Sequence, residues 1–488
     1  MSDWENAGGK GGRRKGALYV FAVLFLVLCL VPFVGMIWTD DAPATDEDSR
    51  SAFPALQEED GSYNLYFLSN LGDYFEDHFA YRNLAIDANA RLRAGIFKTS
   101  PTEQVIVGRD GWLFYGNTLS DFRASAPLSE REIHNITFNL SLMQGYTNAM
   151  GAEFVVTIAP NKNSLYPAYM PYYLPGAQNN NMALLGASLA AEEVNYLNLF
   201  ELFGTQSEEL YFQTDTHWTT EGALLVTDAL LAASRKSKVT VAPEAEEATM
   251  TGDLERMLYP ITAGTEQSTA YTTGNWQFTG ASTSVEDDIA TTSSTGGDGS
   301  LLMFRDSFAN TLIPYLAPEF SRAEFSKMIP YNFTQIADLK PSVVIVERAE
   351  RHINLFAESP PFLYAPTTGL VTKGELDTES FIDWRIDGDF RVLEGSVDEN
   401  HIDTLDIIYV SLESRQTEQV IYVPFQVNIL ANPGETQGTP IQPINSQYGF
   451  RLFLDERTLT DVEYTVKVIV EPSNGNAAYI VKTATLKK

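Results

Sequence analysis

EFVVTIAP, residues 153–160, decides how the fold is read. A strand with one wet face alternates apolar and polar side chains. A run of Phe, Val, Val and Ile broken only by a threonine is a strand covered on both faces. Three further runs share this grammar: VNYLNLF (194–200), SLLMF (300–304) and PSVVIVE (341–347). Before and between them the apolar spacing turns helical, over 130–149, 181–193 and 219–234. Short buried strands alternating with helices predict an α/β fold, a parallel sheet with flanking helices.

Ligands and reactive groups collect in the loops at the carboxyl ends of such strands. Asn161-Lys162 follows the first run, Arg305-Asp306-Ser307-Phe308 follows SLLMF, and Glu347-Arg348 ends VVIV. LYFQ (210–213) leads into Thr214-Asp215-Thr216-His217-Trp218. Asp215 and His217 are two apart, so on extended chain they point the same way. A carboxylate beside an imidazole is what a base and its orienter need. A helix starting just afterwards favours a neutral imidazole. The same residues read equally as a helix cap (Asp215) and a surface histidine.

Ser307 leaves a buried strand through a tight polar turn, which exposes a hydroxyl as a nucleophile requires; it also reads as the first residue of a helix. As metal ligands Asp215 and His217 have no third partner at recognisable spacing, and no metal is expected. Lys162, Tyr166, Arg305 and Arg348 are candidates for holding a polar or anionic substrate group. Lys162 could instead pair with surface carboxylates.

The chain has 488 residues, 44% hydrophobic and 20% charged, which excludes a wholly disordered or fibrous protein. Its net charge of −31 repels phosphate backbones and argues against nucleic-acid binding. Cys29 is the one cysteine, so disulfides and cysteine-ligated metal sites are excluded. Residues 17–38 carry no charge, with Lys10, Arg13, Arg14 and Lys15 before them and Asp40, Asp41, Asp46, Glu47 and Asp48 after. That pattern predicts a transmembrane anchor with a cytoplasmic tail (1–16) and everything later outside. The rival is a signal peptide cleaved near Ala42-Pro43-Ala44. Residues 39–62 read as a linker and 63–370 as the α/β domain, with a Thr/Ser/Gly-rich insertion over 240–299. Beyond 375 only strand patterns occur, predicting an independently folding all-β sandwich over 375–488. Asn135, Asn139 and Asn332 fall in glycosylation sequons, a pattern of low specificity.

Several motifs together carry a resemblance: VGRDGWLFY, APNKNSLYP, FQTDTHWTTEGA, TGDLERML, then RDSF and VVIVERAER, in that order. The chain resembles the alginate O-acetylation proteins AlgX and AlgJ, and a related set of bacterial surface proteins with a D-H-H-W motif, over residues 65–355. The resemblance implies an SGNH-hydrolase-like, flavodoxin-like domain and a polysaccharide O-acetyltransferase outside the cytoplasm. It implies Ser307 as nucleophile, His217 as general base and Asp215 as orienter. It also implies a membrane-bound O-acyltransferase as the partner that exports acetyl, and no cofactor beyond the acetyl donor. Backbone N–H groups after Ser307 are the expected oxyanion donors. The sequence departs from the pattern at Arg305, where the class has Gly-Asp-Ser, and at Thr216, where the D-H-H-W set has histidine. A carbohydrate esterase with the same triad and a non-catalytic glycan-binding scaffold remain as alternatives.

Overall fold

The structure is a computed structural model that describes residues 9–36, 51–57, 61–177, 180–238, 244–376, 378–431, 435–436, 439–440 and 444–488. The first residues of the tail, the end of the apolar run, Ala42-Pro43-Ala44 and most of the linker lie outside the described residues. The chain divides into two compact units, one of Met1–Gly116, Gln213–Thr216 and Thr249–Glu266, the other of Asn117–Phe212, His217–Ala248 and Gln267–Lys488.

The first unit begins with helix α1 (Gly9–Gly35). Its segment Leu18–Gly35 has mean hydropathy 2.7 and is the one helix among the described residues long and apolar enough to cross a membrane. Two helices follow, Phe67–His78 and Arg82–Leu92. A hairpin then pairs Val105–Val107 with Leu113–Tyr115. It turns at Gly108–Gly111, where Asp110 and Gly111 both take positive φ (55° and 89°). Ala90, Ala94, Val105, Leu113, Leu254 and Leu258 form this unit's core.

In the second unit the sheet has strands β1 (Glu153–Ala159), β2 (Tyr196–Leu197), β3 (Trp276–Phe278), β4 (Ile289–Ser294), β5 (Ser300–Phe304), β6 (Arg322–Ser326) and β7 (Val343–Ala349). Their order is β2-β1-β7-β5-β6-β4-β3. The first five are parallel; β4 pairs antiparallel with both β6 and β3, so it alone runs against the rest. The sheet is therefore mixed where a parallel one was expected. The physical reason lies in IATTSS (289–294): its burial alternates, as suits an antiparallel strand with one wet face, whereas every residue of β7 is buried. β4 and its partner β3 both come from the 240–299 insertion. Ile133, Ile136, Leu140 and Met143 of helix α2 (Glu130–Ala149) pack on Val156, Ile158, Val344 and Val346 of the sheet.

Beyond residue 365 the chain forms two main sheets, one of six strands and one of four. Leu393, Phe450, Leu452 and Leu454 of the four-stranded sheet share a core with Ile408, Val466, Val468 and Val481 of the six-stranded one. This is the β-sandwich the sequence anticipates. Its separateness is not what the packing gives. Val392, Phe425, Val427 and Phe453 face the other way and join the core of α2 and the α/β sheet. Neighbours such as Val392 and Leu393 point to opposite faces of a strand, so this sheet is buried on both sides.

Polar groups fix the joint. Asn139 Nδ2 donates to the carbonyls of Phe356 (2.9 Å) and Gln426 (2.8 Å), and Gln426 N–H donates back to Asn139 Oδ1 (2.9 Å). Arg131 donates to Asp406 O (2.6 Å) and Thr404 O (3.1 Å), and Asn135 to Gln447 O (2.8 Å). Asn135 and Asn139 are fully buried, which rules out glycan attachment there in the folded protein.

Candidate active site

Ser307 sits where the parallel strands end. β5 stops at Phe304, and β7 beside it, in register Val346 with Phe304, runs on to Ala349. Asp306 caps the short 3-10 turn Ser307–Thr311. Its carboxylate accepts from Phe308 N–H (2.9 Å) and from Ala349 N–H (2.7 Å), while Asp306 N–H donates to Glu347 Oε2 (3.0 Å). The serine turn is thus strapped to β7 by main-chain donors on both sides. Phe308 N–H is committed to that cap, which differs from its expected part as an oxyanion donor.

Glu347 is fully buried, and loss of hydration together with the Asp306 charge holds its carboxyl well above the usual range. Arg305 is also buried. It donates to Val285 O (2.8 Å), Asp287 O (3.0 Å) and Asn310 Oδ1, and burial lowers it to about 10, which leaves it charged at neutral pH.

His217 ends a tight chain reversal in which Phe212 N–H donates to His217 O (3.2 Å) and Thr219 N–H to Leu210 O (2.8 Å). Its Nε2 lies 3.0 Å from Ser307 Oγ. The imidazole stands edgewise to the Phe308 ring, centroids 4.8 Å apart. Trp218 packs on the same ring at 4.9 Å and donates from Nε1 to Thr311 Oγ1 (2.6 Å). Helix α3 (Thr220–Ala233) starts two residues later, and its cap is Thr219, whose hydroxyl accepts from Gly222 N–H (3.2 Å). The alternative reading of Asp215 as the helix cap is thereby removed.

Asp215 belongs to the first unit. It is 7% exposed, and its Oδ2 accepts from Asp253 N–H (2.8 Å). Asp253 Oδ1 accepts in turn from Thr216 N–H (2.7 Å), and Glu255 N–H donates to Thr214 O (3.1 Å). A Cβ at Gly252 would lie 2.0 Å from Thr214 O, so only glycine lets TGDL close on TDT. Glu266 adds a second clasp, accepting from Gln213 N–H (2.7 Å) and Thr214 N–H (2.9 Å). Asp253 and Glu266 were not singled out from sequence as site residues; TGDLERML flagged the first, and nothing flagged the second.

Of the four substrate-binding candidates, Lys162, Arg305 and Arg348 are buried and Tyr166 is half-buried. Lys162 is 4% exposed, with its ammonium on Phe212 O (3.0 Å). Tyr166 accepts from Leu210 N–H (2.8 Å). Arg348 is buried, its guanidinium 4.8 Å from the Tyr331 ring centroid. Beside Lys162, Glu350 accepts from Asn161 N–H (2.7 Å) and Ser164 Oγ (3.0 Å), and burial pushes its carboxyl up to about 7.

Ser307 and His217 thus pair at the carboxyl edge of a mixed α/β sheet, where a hydroxyl and a base can act together. Residues 105–303 match the family model described as SGNH hydrolase-like domain, acetyltransferase AlgX. Over that span, which holds Asp215 and His217 and stops short of Ser307, the chain is AlgX/AlgJ-like. It is 28% identical over 198 residues to the probable alginate O-acetylase AlgJ of Pseudomonas syringae pv. tomato, covering 38% of this chain and 49% of the relative. It is 26% identical over 157 residues to that of Pseudomonas fluorescens, covering 31% and 38%. The chain thus spans half or less of the curated relatives it matches. Among solved structures, Bacillus cereus PatB1 aligns with TM-score 0.41 and 17% identity, over 51% of this chain and 96% of PatB1.

Proposed function

We propose that the chain is an extracytoplasmic O-acetyltransferase that passes an acetyl group through an acyl-Ser307 intermediate to a polysaccharide hydroxyl. The observation that carries this reading is the 3.0 Å approach of His217 Nε2 to Ser307 Oγ at the carboxyl edge of the sheet. With its proton on Nδ1, His217 accepts the Ser307 proton at Nε2 as Oγ attacks the acetyl carbonyl carbon. Collapse of the tetrahedral intermediate releases the donor's leaving group, which takes that proton. A sugar hydroxyl then gives its proton to Nε2 and attacks the acyl carbon, and Ser307 departs with the proton. Asp215 is the orienter in this scheme, held for that task by Gly252 and Asp253.

The five parallel strands serve as the flavodoxin-like frame. The buried Lys162, Arg305 and Arg348 and the half-buried Tyr166 act as supports of the loops rather than as sugar contacts. Helix α1 is read as a single-pass anchor with the remainder outside, following the basic flank before it. The family match and the relatives' descriptions as alginate O-acetylases support the reaction class. The glycan acceptor, the acetyl donor and a membrane-bound O-acyltransferase partner that supplies acetyl across the membrane belong to the proposal.

The test is full-length protein in detergent with a chromogenic acetyl ester, with and without oligosaccharides, read by mass spectrometry. Acetylated oligosaccharide is the expected product. Release of acetate alone, unchanged by any acceptor, would make it an esterase.

A further inference from the structure

The helix Arg82–Leu92 and the π-type turn after it, Arg93–Phe97, bury only small and polar side chains. Their buried face is Asn83, Asp87, Ala90 and Ala94, two of them polar. Asp87 accepts from Thr262 N–H (3.0 Å) and Thr262 Oγ1 (2.6 Å), so its burial is well compensated. The opposite face carries Tyr81, Leu84, Leu92 and Ile96, exposed by 46–67%. At 100° per residue, these four and the exposed Ala85 and Ala88 fall within one continuous arc of about a third of the helix circumference. A helix that gives only small and polar side chains to its unit's core and turns a leucine–isoleucine stripe outward leaves its larger apolar side chains for a partner elsewhere.

The neighbours of this stripe say what that partner is. Ala80 N–H donates to Pro32 O (3.1 Å), inside the last turn of Leu18–Gly35. A Cβ at Gly35 would lie 2.4 Å from Ala80 Cβ, and the rings of Phe33 and Phe75 are 5.8 Å apart. Eighteen helical residues reach about 27 Å, close to the hydrocarbon thickness of a bilayer. Ala80 and Tyr81 therefore stand at the level where the span leaves the hydrocarbon. A tyrosine at the start of the stripe and Arg93 and Lys98 at its end match the aromatic and basic residues enriched at that boundary. Leu65, Tyr66 and Leu68, 91%, 73% and 80% exposed, are further apolar side chains of the same unit.

We infer that the Tyr81–Ile96 stripe is a membrane-docking surface that lies in the outer headgroup layer of the bilayer spanned by α1. The inference rests on α1 being a span. Docking would fix this unit against the membrane rather than leave it on a free tether.

The test uses the full chain in phosphatidylcholine vesicles, with Cys29 replaced by alanine and single cysteines at Leu92, Ile96 or the exposed sandwich residue Val462. Wild-type protein labelled at Cys29 serves as the depth reference. Each carries an environment-sensitive dye, and brominated acyl chains are the quencher. The expected result is quenching at Cys29, shallower quenching at 92 and 96, and none at 462. Quenching at Cys29 with water-like, unquenched dyes at 92 and 96 would overturn the docking surface and leave the span intact. Absence of quenching at Cys29 would remove the span and the docking with it. Dyes at 92 and 96 that are shielded in native membranes yet water-like in pure lipid would assign the stripe to a protein partner instead.

Discussion

His217 Nε2 and Ser307 Oγ stand 3.0 Å apart although 90 residues separate them in the chain. The turn after strand β5 and the chain reversal that ends at His217 meet there, each held by its own hydrogen bonds. Ser307→Ala and His217→Ala should each lower kcat/KM for acetyl transfer by about 10³-fold or more, with circular dichroism and Tm near wild type. Because the pair acts as a unit, the double variant should be hardly worse than either single one. Additive losses would show that the two residues serve different steps.

Gly252 lies against the Thr214 carbonyl with no room for a methyl group. Gly252→Ala should displace the 214–216 segment, at a cost of about 1–3 kcal/mol in denaturant unfolding, with a marked loss of kcat. Asp253→Asn keeps the shape and its Oδ1 acceptor and should cost less on both counts. Equal activity in Gly252→Ala and wild type would remove the clasp from the account of how Asp215 is held.

Glu350 titrates near 7 because burial disfavours its charge. Its folded pKa is raised above the unfolded value of 4.5, so folding binds a proton between the two. The stability it contributes is fully present below about 4.5 and is lost as pH rises through about 7, by up to about 3 kcal/mol. Glu350→Gln lacks that loss. Its Tm relative to wild type should rise between pH 4.5 and pH 8; a pH-independent difference would contradict the assignment.

Phe453 fills the core that joins the β-sandwich to helix α2. Phe453→Ala should cost about 3–5 kcal/mol and lower the melting of the α/β sheet and the sandwich together, as a single transition. A chain ending near residue 370 should not reach a native α/β fold, because the buried Arg131, Asn135 and Asn139 of helix α2 lose their partners at Asp406, Gln447 and Gln426. Two separate melting transitions in the full chain would restore the independent sandwich.

What the sequence makes legible follows from how each group is satisfied. EFVVTIAP, SLLMF and PSVVIVE announce buried strands because, Thr157 apart, nothing polar interrupts their apolar runs, and their carboxyl ends locate Ser307. IATTSS hides a strand of the same sheet behind hydroxyls that its half-exposed face tolerates. The shared core is written in Val392-Leu393 and Leu452-Phe453-Leu454, adjacent apolar residues that a sandwich with one wet face would not need. The clasp on Asp215 leaves no pattern, since Asp253 and Glu266 bind main-chain N–H groups 37 to 53 residues away. Lys162 and Arg305 mislead for another reason. A charge ordinarily marks solvent, and here carbonyl oxygens inside the fold receive it.

The acyl-enzyme itself gives the most direct measurement. Full-length protein mixed with an activated acetyl ester, quenched in acid within the first turnover and digested, should yield a peptide that contains Ser307 and carries one acetyl group on that residue. The same peptide should be unmodified in Ser307→Ala, and the acetyl should disappear from Ser307 when an oligosaccharide acceptor is added before quenching. Acetyl found on another residue, or full transfer by Ser307→Ala, would contradict a mechanism that runs through Ser307.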